Sequence, residues 1–479
     1  MVELFDAVLP IISLVTFALL TIPVFKIIRK SAYKTALAIA WFLTVFLFSG
    51  TAVANLTAKY YALPPPQPFL NITLTDTPLA TLSSSFMIDA ISVYMAIMFI
   101  AVSAIIILYS VFYFESKERP VERYFAIMLM LTAALTGAVF SGDLLTLFIF
   151  WEAAAAGSGF LMMYRKTPES LNSTLKYLVM IIIASAFIVF GLSLVYSLTG
   201  TLNFWAVREA LMALGDKHLL VLAFIFIATG YAIESAIVPF HFWLPDAYAA
   251  APSSSAAFLS ALIDQGSYYV LIRVLVFILT PPEVLNWAFM LAVMAALTMI
   301  VGNLFALIQD DVKRLIANIC VSDVGYNLVG ITSLTALGLT GNLYFFLIGG
   351  RTLEDFSGLG KKMPLASLAL VMAGLSFAGV PPFGGFMAKY LVFTAAIKAN
   401  LSWLAIIGVL TSVLQAAYLF RLVNYMYAKK PKDAAKIKEP KKLLFPIFIL
   451  VAAILILGLY PQIVFNLIEP VIQQFQFIL

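Results

Sequence analysis

Charge is what this sequence has least of. Asp, Glu, Lys and Arg make up 11% of its 479 residues, against 63% hydrophobic ones. Soluble domains carry about 25% charged residues. A chain this poor in them cannot coat a water-exposed surface, which excludes a water-soluble enzyme. Cysteine is almost missing as well. Cys320 stands alone, which excludes a disulfide framework, a Cys-ligated zinc site and an iron–sulfur cluster held by this chain alone. Two histidines, His218 and His241, are too few for a multi-His metal or haem site. No G-x-x-x-x-G-K-[ST] run is present, so a phosphate loop for ATP hydrolysis is excluded. The alternation of apolar and polar residues that marks a transmembrane β-barrel is absent too.

What the sequence has is long unbroken apolar runs, such as 174–198 and 442–460, and these predict an all-α polytopic membrane protein. The runs place helices near 7–25, 35–55, 88–113, 124–140, 144–163, 174–198, 219–248, 254–279, 285–309, 316–334, 335–350, 364–397, 402–428 and 442–461. That makes about 14 crossings of roughly 20 residues each. Residues 1–25 lack a basic leading segment and a small-residue cleavage site, which reads as a first helix and not a signal peptide. The Pro-, Thr- and Ser-rich connection 56–87 reads as irregular surface, with Asn71-Ile72-Thr73 as a chance-level glycosylation pattern.

Lys and Arg positions test the count. With both termini outside, most of the 29 basic residues fall in cytoplasmic connections. They are Lys26 to Lys34, Lys117 to Arg123, Arg165 with Lys166, Lys313 with Arg314, Arg351 with Lys361 and Lys362, and the strip from Arg421 to Lys442. Outer connections keep only Lys59, Arg208, Lys217 and Lys398. This asymmetry follows the positive-inside rule and reports topology, so the net charge of +5 does not point to nucleic acid. It also requires the short 335–350 segment to cross.

Two helices are interrupted. Helix seven carries Ile237-Val-Pro-Phe-His-Phe-Trp-Leu-Pro245, and helix twelve carries Gly379-Val-Pro-Pro-Phe-Gly-Gly385. Pro239, Pro245, Pro381 and Pro382 remove backbone hydrogen bonds, which hydrocarbon tolerates only where protein or water replaces them. A single break is as easily an ordinary proline kink. Two breaks five helices apart suggest two five-helix repeats, helices 4–8 and 9–13, inverted because five is odd. Paired interruptions of this kind point to an ion or substrate path.

Ionisable groups within the spans cost at least about 2.5–3.5 kcal/mol each and usually face a polar interior. The candidates for ion translocation are Glu152, Lys176, Glu234, His241, Asp264, Gln265, Asp323 and Lys389. Each has a plainer reading. Glu152 is otherwise a hydrogen-bond anchor, and Asp264 with Gln265 otherwise bonds a Ser or Tyr of an adjacent helix. Lys389 and Lys176 are otherwise snorkelling lysines. His241 either bonds a freed carbonyl or carries protons. Arg273 offers Asp264 a counter-charge, since buried charges persist mainly when paired. Carboxylates and amines strung along a membrane interior can pass protons through intervening water, without a covalent nucleophile.

Residues 88–430 resemble the antiporter-like subunits of respiratory complex I, Mrp-type cation/proton antiporters and membrane-bound energy-converting hydrogenases. The strings that carry the resemblance run in the family's order. They are Asp89-Ala-Ile-Ser-Val-Tyr94, Ser141-Gly-Asp-Leu-Leu-Thr-Leu-Phe-Ile-Phe-Trp-Glu152, Ser173-Thr-Leu-Lys-Tyr-Leu178, Pro239-Phe-His-Phe-Trp-Leu-Pro-Asp-Ala247 with Ala251-Pro252, Asp311-Val-Lys-Arg-Leu315, Val324-Gly-Tyr326, and Pro381-Pro-Phe-Gly-Gly-Phe-Met-Ala-Lys389. The resemblance implies 14 helices with inverted repeats. It also implies no redox cofactor in this subunit, with iron–sulfur or other redox centres in peripheral partner subunits. Other membrane subunits, lipid, and H⁺ or Na⁺ are the remaining expected partners, in the cell membrane. Glu152 matches the family's helix-five glutamate and Lys389 its helix-twelve lysine.

This chain also departs from the pattern. The family usually has Lys where Glu234 stands and Lys or His near Gln265, and its helix-eleven Asn-His-Ala run followed by Lys is absent from 335–350. Glu152 would then face a second carboxylate. Two buried carboxylates cannot both ionise cheaply, so one should hold a proton or the pair a cation. Lys176 or His241 is the available compensation, and altered coupling is expected.

The sequence thus divides into 1–87 (N-terminal helices and outer loop), 88–283 and 284–428 (the two repeat regions), and 429–479 (basic strip and C-terminal helix). The leading expectation is an ion-translocating subunit of a respiratory or hydrogenase-type complex. A subunit of a stand-alone Na⁺/H⁺ antiporter and a translocation-impaired scaffold are the alternatives.

Overall fold

The computed structural model describes residues 2–28, 33–61, 70–73, 84–114, 121–279, 286–348, 363–427 and 441–478. Arg29, Lys30, Lys117, Arg119, Arg351, Lys361, Lys362 and the strip Lys429 to Lys438, on which much of the topological argument rests, lie outside the described residues.

The first half runs α1 (Val2–Ile28), α2 (Lys34–Tyr61), β1 (Leu70–Thr73), β2 (Ser85–Ile88), α3 (Ala90–Tyr113), α4 (Glu122–Phe140), α5 (Leu144–Met162), α6 (Pro168–Thr199), α7 (Phe204–Met212) and α8 (His218–Glu234). After the first break come α9 (Trp243–Ala250), α10 (Ser253–Phe258) and α11 (Asp264–Leu271). Then follow α12 (Trp287–Ile308), α13 (Val312–Thr332), α14 (Ala336–Ile348), α15 (Pro364–Ala378), α16 (Gly384–Lys398), α17 (Ser402–Tyr427), α18 (Lys441–Leu459) and α19 (Gln462–Ile478). Among the described residues, eleven helices are long and apolar enough to cross a membrane.

Helix starts follow side-chain caps. Asp89 and Ser92 form a reciprocal capping box at α3, as Thr167 and Ser170 do at α6, where Pro168 sits at the first helical position. Asp143 caps α5 by accepting from the Thr146 amide, and Asp311 caps α13 by accepting from Arg314. Each of these oxygens satisfies an amide that the first helical turn leaves unpaired.

The chain forms two compact units. One comprises Met1–Ser235, Leu262–Asn286 and Gln473–Leu479; the other comprises Ala236–Ala261 and Trp287–Ile472. In the first, α6 and α8 approach through glycines. A Cβ at Gly191 would come within 2.4 Å of Ile227, and one at Gly230 within 2.4 Å of Ile188. The second unit repeats the device between α12 and α13. A Cβ at Gly302 would lie 2.6 Å from the Ser322 amide nitrogen, and one at Gly325 would lie 2.6 Å from Met299 Cγ. Small residues allow the close backbone approach that helix association in lipid relies on.

The structure bears out one expectation and refines two others. Part of 56–87 is not irregular: β1 and β2 pair antiparallel, Leu70 opposite Ile88. β2 is tied onward, because the Ser85 amide donates to Asp143 Oδ2 at 2.8 Å and the Gly142 amide to the Ser85 carbonyl at 2.8 Å. Helix seven is interrupted at its prolines, as the sequence implies. α8 ends at Glu234, Ala236 takes a left-handed φ of 52°, a 3₁₀ turn spans Phe240–Phe242, and α9 begins at Trp243. Pro245 falls in the first turn of α9, where proline costs no helical hydrogen bond. Helix eight is not a uniform α-helix, since Leu259–Ile263 and Ile272–Ile278 are wound as π-helix on either side of α11. Helix α7 and the C-terminal α19 lie outside the spans read from hydropathy.

Filling either glycine contact should loosen its unit. Gly302→Val is expected to destabilise by about 1–3 kcal/mol or more through overpacking. Gly50→Ala, with nothing within 4 Å of its Cβ position, should change little. The midpoint of thermal unfolding in detergent checks both.

Candidate functional site

The first unit gathers carboxylates around α5, α6 and α8. Glu152 is half-buried and accepts from Ser185 Oγ of α6 at 2.7 Å. Its neighbour Trp151 donates through Nε1 to Glu234 Oε2 at 2.5 Å. Glu234, the last residue of α8, is 5% exposed, and its Oε1 has no partner among the described residues. The two carboxyl groups lie within hydrogen-bonding reach of one another. The expected acid–acid encounter is therefore present, with the outer oxygens held by Trp151 and Ser185. Tyr177 of α6 donates to the Ala155 carbonyl at 2.6 Å and meets Ser158 Oγ at 2.9 Å. It feels the fields of Glu152, Glu234 and Asp264 together.

Asp264 begins α11 directly after the first π-wound stretch, and both it and Gln265 are buried. The next residue, Gly266, abuts Trp151: a Cβ there would lie 2.7 Å from the indole. Gln265 Oε1 has no partner among the described residues. Lys176 lies on the exposed side of α6, while the adjacent Tyr177 turns inward.

Arg273 does not neutralise Asp264. It forms a fork with Asp89, Nη1 to Oδ2 at 2.6 Å and Nη2 to Oδ1 at 2.8 Å, and its Nε donates to Tyr269 OH at 3.0 Å. Tyr269 donates in turn to the Val139 carbonyl at 3.0 Å. The pair is 2% and 0% exposed. A planar guanidinium matches a carboxylate at both oxygens, and Asp89 already has its place fixed as the cap of α3. This buried clamp ties helix eight to the start of α3.

The second unit holds the other cluster. Lys389 lies in the second turn of α16 and is 4% exposed. Its Nζ donates to Gln415 Oε1 at 2.5 Å and to Ser412 Oγ at 3.1 Å, both on α17, and lies 4.0 Å from the centre of the Tyr326 ring. Tyr326 donates to Thr411 Oγ1 at 3.1 Å. Gly379 makes room for the lysine: it ends α15 with φ 75°, and a Cβ there would lie 2.9 Å from Lys389 Cδ. Glycine meets both demands at once. Pro381 and Pro382 lie in the turn between α15 and α16, backed by Gly458 of α18, whose Cβ would fall 2.0 Å from the Pro382 carbonyl oxygen. Asp323 of α13 stands beside Gln415, with Asp323 Oδ1 and Gln415 Nε2 both buried and without a closed hydrogen bond among the described residues.

His241, in the 3₁₀ turn of the first break with Pro239 just before it, is 2% exposed. It stacks at 5.8 Å on Phe305, and its ring lies near the Pro239 backbone without closing a hydrogen bond among the described residues. No group of three or more His, Cys, Asp or Glu placed to hold a metal ion occurs among the described residues.

Sequence reasoning missed Trp151, Tyr177, Ser185, Tyr326, Ser412 and Gln415. A signal existed for the last two: Thr411, Ser412 and Gln415 put one polar face on an otherwise apolar helix, and such residues in a span usually face a bundle interior.

Residues 141–415 match the family described as NADH:quinone oxidoreductase/Mrp antiporter, TM, and residues 77–125 match NADH-Ubiquinone oxidoreductase (complex I), chain 5 N-terminus. The chain is 30% identical to F(420)H(2) dehydrogenase subunit N of Methanosarcina mazei, over 79% of this chain and 83% of that one. It is 30% identical to NADH-quinone oxidoreductase subunit N of Trichlorobacter lovleyi, over 76% and 80%. Among solved structures it is similar to a chain of the membrane-bound sulfane sulfur reductase, an archaeal respiratory membrane complex. The TM-score there is 0.83 at 25% identity, covering 99% of this chain and 97% of that one.

Removing one side of the Asp89–Arg273 clamp leaves the other charge buried alone. Asp89→Ala should cost about 3–5 kcal/mol, and Asp89→Leu combined with Arg273→Met should recover most of it. Denaturant unfolding of the detergent-solubilised protein measures both.

Proposed function

Because the chain belongs to the NADH:quinone oxidoreductase/Mrp antiporter membrane-subunit family, we propose that it moves protons as the antiporter-like subunit of a multisubunit respiratory complex. Peripheral partner subunits carry the redox centres and supply the driving reaction. The observation that carries this reading is a pair of buried, incompletely bonded titratable clusters, one in each unit: Glu152 with Glu234, and Lys389 with Asp323.

In the first cluster one proton is shared between the facing carboxyls, since two adjacent buried carboxylates do not both ionise cheaply. Trp151 and Ser185 fix the outer oxygens, so the proton has one direction of exchange, between Glu152 and Glu234. In the second, Lys389 takes up and releases a proton against Asp323. The chain crosses the membrane about 14 times, in two inverted five-helix repeats, with both termini outside.

Proton flux coupled to turnover, measured with the purified complex in vesicles, tests this. Lys389→Ala and Glu234→Gln should each reduce it at least tenfold, taking about 10²–10⁴ as the range for losing a positioned acid or base. Unchanged flux in both variants would count against the reading. Orientation has its own check. In a Cys320→Ser background, a membrane-impermeant maleimide should label Lys398→Cys from outside and Lys432→Cys only from the cytoplasmic face.

A further inference from the structure

We propose that Asp323 is the proton-exchange partner of Lys389, and that Gln415 is the positioning residue that holds the two in register. The inference rests on the proton-transport reading above and names the parts of its second cluster.

The geometry is specific. Gln415 is fully buried on α17, and its two amide atoms have opposite duties. Oε1 accepts from Lys389 Nζ at 2.5 Å, so an ammonium donor fixes which way the amide faces. Nε2 is then turned from the lysine, and the carboxylate neighbour of the amide is Asp323. Neither Nε2 nor Asp323 Oδ1 closes a hydrogen bond among the described residues. A buried donor and a buried acceptor of one cluster are thus left unfilled, with Asp323 and the Tyr418 hydroxyl as the neighbours of the amide. An unsatisfied buried polar group is costly, and two such atoms in an otherwise well-bonded cluster mark a place where bonding changes.

The surroundings keep the exchange local. Ser412 Oγ accepts from Lys389 and donates to Tyr326 OH, while Tyr326 donates on to Thr411. The Tyr326 ring covers the ammonium from the remaining side. Tyr418, on the same helix as Gln415, donates to Asn303 Oδ1 at 3.0 Å and keeps its hydroxyl oxygen near the Gln415 amide. Among the groups that face Lys389, Asp323 is the carboxylate.

The step balances without a co-reactant. An N–H bond of the Lys389 ammonium breaks with its electron pair left on Nζ. The proton passes through water between the two groups, which form no direct ion pair among the described residues, and an O–H bond forms on an Asp323 carboxyl oxygen. The pair passes from ammonium and carboxylate to amine and carboxylic acid with no change in net charge. Gln415 favours the ionised form, because its carbonyl faces the ammonium and its amide NH₂ faces the carboxylate. A later proton arriving at Lys389 restores the ammonium beside protonated Asp323, and the carboxyl proton leaves.

The test uses the purified complex in vesicles and compares proton flux and assembly for Lys389→Ala, Asp323→Asn, Asp323→Glu, Gln415→Leu and Gln415→Glu. Infrared difference spectra record the protonated-carboxyl band. Asp323→Asn, close to isosteric, should assemble normally, lose flux at least tenfold and lose a carboxyl band; Asp323→Glu should restore both in part. Gln415→Leu should keep assembly and strengthen the carboxyl band, because the neutral pair then dominates. Gln415→Glu should lower flux by pinning the ammonium. If Lys389→Ala stops flux while Asp323→Asn and both Gln415 variants leave flux and spectrum unchanged, the proposal is overturned and the transport reading stands. If Lys389→Ala is also without effect, both fall.

Discussion

A polar group surrounded by hydrocarbon has to find its partner inside the protein, and the clusters of this chain differ in how completely they obey. Asp89 and Arg273 obey fully. Each carboxylate oxygen meets one guanidinium nitrogen, the third nitrogen donates to Tyr269, and Tyr269 donates in turn to a backbone carbonyl. Every nitrogen of the guanidinium and both carboxylate oxygens have a partner, and nothing there has reason to change. Around Glu234, Asp323 and Gln415, by contrast, buried atoms are left without partners among the described residues. Ser235, Asn327 and Ser367 leave buried atoms unfilled as well, so what sets the first group apart is that its open atoms belong to titratable side chains or to the amide beside one.

The interrupted helices show how each unit brings a charge to such a place. In the first unit α8 stops at Glu234, and the left-handed Ala236 follows at once. In the second, α15 ends in left-handed Gly379, and Lys389 enters only after α16 has begun. One break presents its ionisable group as the last residue before the interruption, the other in the second turn after it. The glycine at 379 does two things that no other residue does together: it takes the positive φ, and it leaves the space occupied by the lysine stem.

Much of this was legible in the sequence, because the bilayer makes hydropathy a strong signal. The apolar runs located the long helices to within a few residues: 285–309 corresponds to Trp287–Ile308 and 402–428 to Ser402–Tyr427. The encounter of Glu152 with Glu234 also followed from residue positions, through a resemblance that placed a carboxylate on helix five and a lysine where Glu234 stands. Other features were hidden for physical reasons. The π-wound stretches flanking α11 arise from tertiary packing and leave no periodicity to read. Arg273 was assigned to Asp264, nine residues away, because local spacing is visible and a partner 184 residues distant is not. β2 looked irregular since its hydrogen bonds go partly to the loop at Gly142. Gln415 was overlooked because an uncharged amide does little to a hydropathy profile.

The choice of cation at the two buried acid–base contacts follows from the same constraint. Arginine stays protonated in proteins, whereas lysine changes its charge readily when water is withdrawn. Arg273 therefore suits a contact that must persist through every cycle, and a lysine in its place would let the clamp neutralise and loosen α3 from helix eight. Lys389 suits the opposite task. Held by an amide, a hydroxyl and an aromatic face, it has no fork geometry to lose when a proton leaves. On the proposed reading, the carboxyl pair of the first unit reaches the same end without a base, since a proton resting between two acids is already half transferred. Under that proposal, two chemically different solutions give each unit one group that can gain and lose a single charge while its helices stay where packing puts them.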